Sequence, residues 1–559
     1  MDFKKIIANS INYQGLDQEN IINSIILTPD ANFGDYSLPC FPFAKVLRKS
    51  PVVIAQEIAQ SLNECDLIEK VDVVNGYLNF YLNKAKISEN LIENCQNLFK
   101  NKEKNNKVVC LDYSSVNLAK YMHIGHWNTT ILGEALARLY ENQGYKAVRM
   151  NYIGDYGLPF GKMVYAFKTW GNKQEVEKRG IDALQELYVK FCANESEELL
   201  TLAREISKKI EEKDAEVYPI YEWFIDISKK EAKRLLDKVG ITFDTWRGES
   251  YYNDKMEPII EEIKNSGFGK VSEGAFIVDL NEYNMGVSVI QRADGASLYV
   301  TRDLAALDDR YKTYNFDEMI YVTAVQQCNH FEKLFKICEL LNKPYANKLY
   351  HASYGMFSMP EGKIASRKGK QALFEDMLTQ AEQKIFDAFT NKSFTEEQKR
   401  VLAKKIGKSA VAFSILKVDR IKDKVYDADL ATNFNGETAP YIEYTYARCN
   451  SIVKKASKEI LNANADYSCL PYADMFDIIK SINNIDKTIE SAFENKEPSI
   501  LAREVISICK NFNKFYGAHK VVDTENVEKS KALINFVNLI KSCLAYTMPL
   551  LCIEIVEEM

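Results

Sequence analysis

Two of the five histidines in this chain of 559 residues lie within four positions, in the run His123-Ile124-Gly125-His126. A β-branched, apolar run from 107 to 113 precedes them, and apolar residues at helical spacing follow from 128 to 141. This pattern predicts a helix that begins just after a strand. In an open α/β sheet, such a helix start offers free N–H groups to phosphate. We therefore predict a nucleotide site in which both imidazoles donate to phosphate oxygens and Gly125 leaves room for adenine.

The structural alternative is an ordinary helix start with two half-buried imidazoles. A second run, Gly362–Lys370, favours the nucleotide because it combines four basic residues with two glycines. Such a loop suits a polyphosphate, since its cations and its flexible backbone can surround the anion. A basic surface loop is the alternative explanation for that run taken alone.

Length and composition predict a globular protein of three or four domains. The net charge of -6 neither requires nor excludes nucleic-acid binding, because phosphate contacts need only a local basic stripe. No apolar run reaches the roughly 18 residues of a membrane span, and the first residues do not resemble a signal peptide. The twelve cysteines form no C-x-x-C pair. We therefore expect a cytoplasmic protein without membrane contact, structural zinc or disulfides.

The chain divides into three regions by its apolar patterning. Residues 1–105 predict a small α/β domain, and residues 106–372 predict the nucleotide-binding domain, with a helical insertion at about 168–240. From 373 to 559 the pattern is helical. The predicted fold class is therefore multidomain, α/β followed by an all-α C-terminal bundle.

The segment Asp112–His126 resembles the first signature of class I aminoacyl-tRNA synthetases, and in detail that of the arginyl-tRNA synthetase family. The resemblance continues through Asn151–Gly161 and runs almost to the last residue. Residues 363–367 resemble the K-M-S-K-S signature but read K-I-A-S-R, so the second lysine is missing. Family members often carry a lysine before the first signature that supplies this charge, and here it is Lys120. A solvated lysine at a helix start is the alternative.

This resemblance implies a Rossmann-type catalytic domain with a parallel sheet, an N-terminal domain that contacts tRNA and an anticodon-binding bundle. It also implies a ligase that activates L-arginine with ATP and Mg²⁺ and transfers the arginyl group to the 3′ end of tRNA(Arg). Neither a side-chain nucleophile nor a protein-bound metal is expected. We expect the protein to act as a monomer.

The resemblance also assigns roles to individual residues. The catalytic residues, which would stabilise charge on the phosphates, are Lys120, His123, His126, Lys363, Arg367 and Lys368. The residues expected to bind ATP are Ser114, Gly125, His330, Gly355, Met356 and Ser366. The residues expected to line the arginine pocket are Asp112, Asn117, Tyr299, Asp303 and Gln327. The residues expected to contact tRNA are Tyr441, Tyr446 and Arg448.

Arginine recognition requires carboxylates, because a guanidinium keeps its charge and pairs best with a carboxylate in its own plane. Asp112 ends the first predicted strand. Tyr299 and Asp303 follow a predicted hairpin that turns at Asp294-Gly295 and runs into a helix. Each residue has a structural alternative: Asp112 as the cap of a turn, Tyr299 as core, and Asp303 in the first turn of its helix.

Two other functions remain open from the sequence. A glutaminyl or glutamyl class I enzyme would share both nucleotide signatures but would have no use for Asp112 and Asp303 around a cation. An inactive, synthetase-like tRNA-binding module would be expected to have lost the histidines or the basic loop. Only Ala365 and Ser366, in the imperfect second signature, favour the inactive module.

Overall fold

The N-terminal region is a small antiparallel sheet covered by helices. The computed structural model describes residues 1–118, 120–293, 299–360, 373–390 and 393–559. In this first region the helices are α1 (Phe3–Ser10), α2 (Gln18–Ser24), α3 (Ala44–Leu47), α4 (Pro51–Gln60), α5 (Lys84–Glu93) and α6 (Cys95–Leu98), and the strands are β1 (Ile26–Leu27), β2 (Tyr36–Pro39), β3 (Ile68–Val74) and β4 (Tyr77–Leu82). The strand order is β1-β2-β4-β3. Asn75 and Gly76 have positive φ, so a two-residue turn joins β3 to β4.

A parallel sheet forms the centre of the next region. Its strands are β5 (Val108–Asp112), β6 (Lys146–Met150), β10 (Glu318–Tyr321) and β11 (Leu349–His351); the other strands are β7 (Gly269–Ser272), β8 (Ala275–Asp279), β9 (Val287–Gln291), β12 (Phe357–Ser358) and β13 (Lys424–Val425). The central sheet has the order β11-β10-β5-β6, with all pairs parallel. All four strands therefore end at one edge, where ligands bind in open α/β sheets.

Helices pack on both sides of this sheet and extend beyond it. They are α7 (Ile124–Asn142), α8 (Leu158–Trp170), α9 (Lys173–Arg179), α10 (Ile181–Ala193), α11 (Glu197–Glu211), α12 (Tyr218–Lys238), α13 (Met256–Ser266), α14 (Tyr299–Tyr314) and α15 (Cys328–Leu340). Helix α7 begins at the predicted place, directly after His123. Helices α8 to α12 occupy the stretch in which we predict a helical insertion.

The turn of the predicted hairpin, Asp294-Gly295, lies outside the described residues. Strand β9 ends at Gln291 and pairs with β8 in a separate antiparallel sheet of order β7-β8-β9. Tyr299 is already the first residue of helix α14. Residues 294–298 lie outside the described part of the chain. Tyr299 and Asp303 therefore reach the site from the first turns of a helix rather than from a strand end.

The C-terminal region is a helical bundle. Its helices are α16 (Phe374–Ala388), α17 (Glu396–Leu416), α18 (Ala428–Ala431), α19 (Ala439–Lys455), α20 (Lys458–Asn462), α21 (Tyr472–Asn483), α22 (Ile485–Glu494), α23 (Ser499–Ala518) and α24 (Val527–Thr547). The predicted combination of α/β regions with an all-α bundle is confirmed. In the described part of the chain, Val527–Leu551 is long and apolar enough to cross a membrane, but 61% of its most apolar window is buried, as in the core helix of a bundle.

A carboxyl group is buried in the bundle without a partner. Glu443 on α19 is fully buried, and neither side-chain oxygen has a hydrogen-bond partner within the described residues. Ser409 of α17 directs its hydroxyl to the carbonyl of Lys405. Burial raises the pKa of Glu443 well above its usual range, with the nearby Glu554 adding to the effect. The neutral acid is the form that this packing favours.

The Glu443→Gln variant should therefore be more stable than the parent protein above neutral pH. The folded carboxyl stays neutral, whereas the unfolded one ionises above its ordinary pKa, so the cost of Glu443 grows as the pH rises between the two values. We expect a gain of about 1 kcal/mol or more at pH 8 that disappears near pH 4, measured by denaturant unfolding at several pH values. Glu437→Gln, at a carboxylate paired with Lys510 on the surface, is the control and should give no gain. A less stable Glu443→Gln variant at pH 8 would contradict this assignment.

Candidate active site

The candidate site lies at the carboxyl edge of the parallel sheet. After β5 ends at Asp112, the chain turns through Ser114 and Ser115, whose φ values are 71° and 43°. The Ser114 N–H donates to Thr129 Oγ1 of α7 at 3.2 Å. Asn117 then forms a parallel bridge with Gly154, where a side chain at Gly154 would clash with Asn117 Oδ1. These contacts fix the path that leads to the first histidine.

The two histidines close the start of helix α7. His123 is the N-cap residue, and its Nδ1 accepts a hydrogen bond from the Gly125 N–H at 3.1 Å. The His123 N–H donates in turn to Nδ1 of His126 at 3.1 Å. The rings lie 4.0 Å apart between centroids. A side chain at Gly125 would approach the His123 ring to 2.9 Å, so this glycine makes room for an imidazole as well as for any ligand.

Both imidazoles are neutral at physiological pH. Burial, with a smaller contribution from the neighbouring His123, lowers the pKa of His126 to about 3. Burial also lowers the pKa of His123, with Lys120 adding to the effect. Because each Nδ1 accepts a backbone hydrogen bond, the remaining proton is on Nε2. The pair therefore offers two neutral Nε2–H donors rather than two positive charges.

The basic loop of the second signature falls largely outside the described residues. Lys363, Ser366, Arg367 and Lys368 belong to the segment 361–372, for which no structure is described. The residues that follow it are placed beside the histidines: Leu373 forms an antiparallel bridge with His123, and the Phe374 N–H donates to the Met122 carbonyl at 3.0 Å. The described chain that follows the second signature therefore runs beside the first signature.

Asp112 is engaged in a buried ion pair. Its Oδ2 lies 2.7 Å from Nη2 of Arg310 on α14, and both side chains are about 4% exposed. Burial raises the pKa of Asp112, and the guanidinium opposes that shift. Since the arginine keeps its proton even when buried, the pair holds the carboxylate as an anion. Asp112 is therefore already bound to an arginine of the protein itself.

Asp303 lies on the same helix and contacts a histidine. Its Oδ2 is 2.6 Å from Nε2 of His330 on α15. His330, predicted to bind ATP, thus lies beside a residue predicted to bind arginine. Asp303 also raises the pKa of both Asp112 and Glu249. Three carboxylates consequently share one electrostatic environment at this edge.

Glu249 was not predicted from the sequence. It precedes α13 in a 3-10 turn, and burial raises the pKa of its carboxyl to about 7, with Asp303 and Asp155 adding to the effect. Arg302 of α14 lies 3.3 Å from it and opposes the shift. No signature marks Glu249, because its role depends on a fold that brings residues 50 positions apart together. Arg302 and Arg310 were missed as well, although both flank predicted residues on α14.

A cavity of about 440 Å³ opens among these residues. Its polar lining includes Asn117, Lys120, Glu249, Arg292, Tyr299 and Arg302. This cavity brings Asn117 and Tyr299, two residues predicted to line the arginine pocket, together with Lys120, which was predicted to act on the phosphates. Tyr299 is 66% exposed, which is not the core position considered as its alternative. Gln327 is exposed on the 3-10 turn Val325–Gln327 and does not line this cavity.

The remaining nucleotide candidates lie along the same edge. Gly355 accepts a hydrogen bond on its carbonyl from Asn128 Nδ2 of α7 at 3.1 Å, and Met356 is partly exposed beside it. His351 ends β11, and its Nε2 lies 2.8 Å from Thr323 Oγ1. Burial lowers the pKa of His351 to about 4. Ser114 is buried, so its hydroxyl is not displayed at the surface of the site.

The bundle residues predicted to bind tRNA are differently exposed. Tyr446 is only 5% exposed, which argues against stacking on an RNA base, whereas Tyr441 is half-buried. The Arg448 guanidinium lies 4.7 Å from the ring centre of Tyr444 and 5.3 Å from that of Tyr516. These three residues line a cavity of about 470 Å³ together with Phe394, Lys454, Lys455 and Met559. The sequence does not single out Tyr444, because helical spacing alone does not show which tyrosine faces outward.

Three family models match consecutive parts of the chain. The N-terminal domain of arginyl-tRNA synthetase matches residues 1–82, the catalytic domain of class I tRNA synthetases (R) matches 86–428, and the DALR anticodon-binding domain matches 442–559. Arginine–tRNA ligases of Clostridium perfringens and Clostridioides difficile are 38% and 39% identical over the full length of both chains. The chain belongs to the arginyl-tRNA synthetase family.

Solved structures agree with this fold. The arginyl-tRNA synthetase of Thermus thermophilus is 22% identical, with a TM-score of 0.79 over 96% of each chain. That of Plasmodium falciparum is also 22% identical, with a TM-score of 0.76 over 100% of this chain and 97% of the other. The family resemblance inferred from the two signatures is confirmed.

The neutral state of the histidine pair can be observed directly. In protein labelled with ¹⁵N-histidine, His126 should remain neutral and protonated on Nε2 from pH 8 to pH 5, because its low pKa lies below that range. Heteronuclear NMR reports the tautomer, and the spectrum of the His126→Gln variant assigns the signal. An imidazolium at His126 by pH 6 would contradict the arrangement.

Proposed function

We propose that the protein is an arginine–tRNA ligase. In the first step, a carboxylate oxygen of L-arginine bonds to the α-phosphorus of ATP while the bond from that phosphorus to the bridging oxygen of pyrophosphate breaks. In the second step, a ribose hydroxyl at the 3′ end of tRNA(Arg) takes the arginyl group and AMP leaves. The observation that carries this proposal is the group of carboxylates at the sheet edge, in a chain that matches the family over its whole length.

The histidine pair is proposed to bind the phosphates of ATP. Two neutral Nε2–H groups and the start of α7 can donate hydrogen bonds without a full positive charge, so the compensating charge must come from elsewhere. We assign that charge to Lys120 and to the loop residues Lys363, Arg367 and Lys368. Ser366 and Ser114 remain candidates for nucleotide contacts, although the burial of Ser114 limits it to a supporting role.

The adenosine end of ATP is proposed to lie at Gly355 and Met356, with His330 nearby. Gly355 is held against α7 by Asn128, so the adenine side and the phosphate side of the site share one helix. Mg²⁺ is proposed to enter with the phosphates. The described residues contain no group of three His, Cys, Asp or Glu that could hold a metal ion. A hydrated ion carried by ATP fits this donor set.

The arginine pocket is proposed to be the cavity lined by Asn117, Glu249 and Tyr299, with Asp303 at its edge. A guanidinium is attracted by the combined negative field of the carboxylates. Asp112 takes part through that field and through its pair with Arg310 rather than as a free ligand. Gln327 stays a proposed contact for arginine. Since it does not line this cavity, that contact requires its turn to close over the bound amino acid.

The second cavity, in the bundle, is proposed to bind the anticodon. Tyr444, Arg448 and Tyr516 present flat groups on which unstacked bases can stack, while Lys454 and Lys455 supply charge for phosphates. Tyr441 remains a candidate, and Tyr444 replaces Tyr446. We further propose that the enzyme acts as a monomer, because one chain supplies every residue assigned to these sites. We also propose that it acts in the cytoplasm.

Pyrophosphate exchange into ATP tests the function. We expect exchange with arginine and with none of the other nineteen amino acids. By the family resemblance, we expect this exchange only when tRNA is present. Exchange with glutamate or glutamine would identify a different class I enzyme. Silence with all amino acids despite tight tRNA binding would identify an inactive tRNA-binding module.

The Asp303→Asn variant tests the arginine pocket. Loss of this charge should raise the Michaelis constant for arginine by about a hundredfold, since an unpaired buried guanidinium is costly, while that for ATP changes by less than about threefold. Steady-state exchange kinetics measure both. Asp308→Asn is the matched control on the same helix, because Asp308 pairs with Lys343 away from the cavity. An unchanged constant for arginine in Asp303→Asn would rule out the assigned role.

A further inference from the structure

A short connecting segment joins the bundle to the strand region beside the nucleotide. This bridge segment, residues 417–427, runs between α17 and α18 and contains β13. Its Lys424 N–H donates to the Met356 carbonyl at 2.7 Å, and its Tyr426 N–H donates to the Ser358 carbonyl at 2.8 Å. In return, Asp423 Oδ1 accepts from the Met356 N–H at 2.7 Å. The backbone around Met356 is therefore held by the bridge segment.

Gly355 is packed directly against the same segment. Its N–H donates to the Arg420 carbonyl at 3.0 Å. A side chain at Gly355 would lie 2.4 Å from the carbonyl oxygen of Lys422, so only glycine permits this approach. On its other side, Gly355 contacts Asn128 of α7. The peptide proposed to face adenine is thus clamped between the helix of the histidine pair and the bridge segment.

The Arg420 side chain connects the region of β11 to the helical bundle. Its Nη1 donates to the Ser353 carbonyl and its Nη2 donates to the Tyr350 hydroxyl at 3.3 Å, both at the end of β11. Its Nε donates to the Lys496 carbonyl at 3.2 Å, in the turn between α22 and α23. The Arg420 N–H donates to Glu497 Oε2 at 2.9 Å in the same turn. A planar guanidinium with fixed donors is suited to such a joint, because it sets distances and directions together.

Asp419 attaches the bridge segment to the bundle through contacts that do not involve Arg420. Its Oδ1 lies 2.7 Å from Nη1 of Arg503 and 3.0 Å from Oγ of Ser499, both on α23. Its Oδ2 lies 2.7 Å from Nζ of Lys422. These contacts hold the segment on the bundle but do not reach β11. The chain therefore offers one arginine that spans both sides and another that touches only the bundle.

We propose that Arg420 is a positioning residue for the adenosine end of ATP. Its guanidinium holds the Ser353 carbonyl, two residues before Gly355, in register with the turn 496–497 of the bundle, and it does not touch ATP. This inference rests on the proposed function, which places ATP at Gly355 and Met356. Loss of the Arg420 side chain therefore weakens the binding of ATP and leaves the arginine pocket undisturbed, because Arg420 is not among the residues that line that cavity.

Exchange kinetics on full-length variants test the proposal. Arg420→Ala should raise the Michaelis constant for ATP by about tenfold, while that for arginine and the affinity for tRNA stay within about twofold. The Michaelis constant of Arg420→Lys for ATP should lie between those of the parent protein and Arg420→Ala, because one ammonium group replaces only some of the guanidinium's hydrogen bonds. Arg503→Ala is the matched control and should leave all three quantities within about twofold.

A change in the Michaelis constant for ATP alone distinguishes a positioning role from a general loss of stability, since a destabilised fold would weaken the binding of both ATP and arginine. Equal changes in the constants for ATP and arginine, or no change for ATP, would overturn the role of Arg420. If Arg420→Ala is insoluble, Tyr350→Phe is the second test, because it removes one hydrogen-bond acceptor of the Arg420 guanidinium. This variant should raise the Michaelis constant for ATP by about threefold. An unchanged constant would also overturn the role of Arg420. Absence of arginine-dependent exchange in the parent protein would instead refute the proposed function.

Discussion

The buried ion pair between Asp112 and Arg310 is the constraint on which the site depends. Removing two charges from water is costly, so the pair persists only with close geometry and with both partners held in place. Arg310 lies on α14, and Asp303 precedes it by about two helical turns on the same face. Fixing Arg310 against the end of β5 therefore also fixes Asp303 at the sheet edge. The carboxylate at the end of the strand orients the helix that carries the second carboxylate.

The charges of the site are divided between two sides. The histidine side is neutral, because burial removes the protons that would make His123 and His126 cationic. The pocket side carries the carboxyl groups of Asp303 and Glu249. Burial, with Asp303 adding to the effect, raises the pKa of Glu249 to about 7, and a bound cation would favour its ionised form. This separation suits two substrates of opposite charge. A polyphosphate meets neutral donors and lysines, and a guanidinium meets carboxylates.

The bundle and the catalytic sheet are joined by specific contacts as well as by the chain. Arg138 of α7 binds Glu134 on its own helix and donates to the Pro549 carbonyl near the C-terminus. Glu134 also pairs with Arg149 of β6. Phe493 of the bundle packs edge-on against Tyr140 of α7, with ring centres 4.7 Å apart. Helix α7 thus carries the histidine pair at its start and the contacts with the bundle along its length.

The sequence alone determined the local elements and the two signatures. The strand before His123, helix α7 and the helical C-terminal region follow from short-range periodicity, and Asp112 ends its strand as predicted. The pairing of β9 with β8 was not predicted, because short-range patterns do not specify which strands pair. Short-range patterns also could not distinguish Tyr444 from Tyr446, which are two positions apart on one helix and differ in exposure.

Only the tertiary structure decided the partners and the protonation states. Glu249 and Arg302 meet across 53 residues, and Arg310 reaches Asp112 across 198, so no spacing rule predicts them. The neutrality of His126 is a consequence of burial, which depends on everything packed around it. The sequence determined which chemical groups are available for catalysis and binding, because it specifies the type of each side chain. The fold decided their charges and neighbours, because desolvation and pairing are properties of the packed molecule.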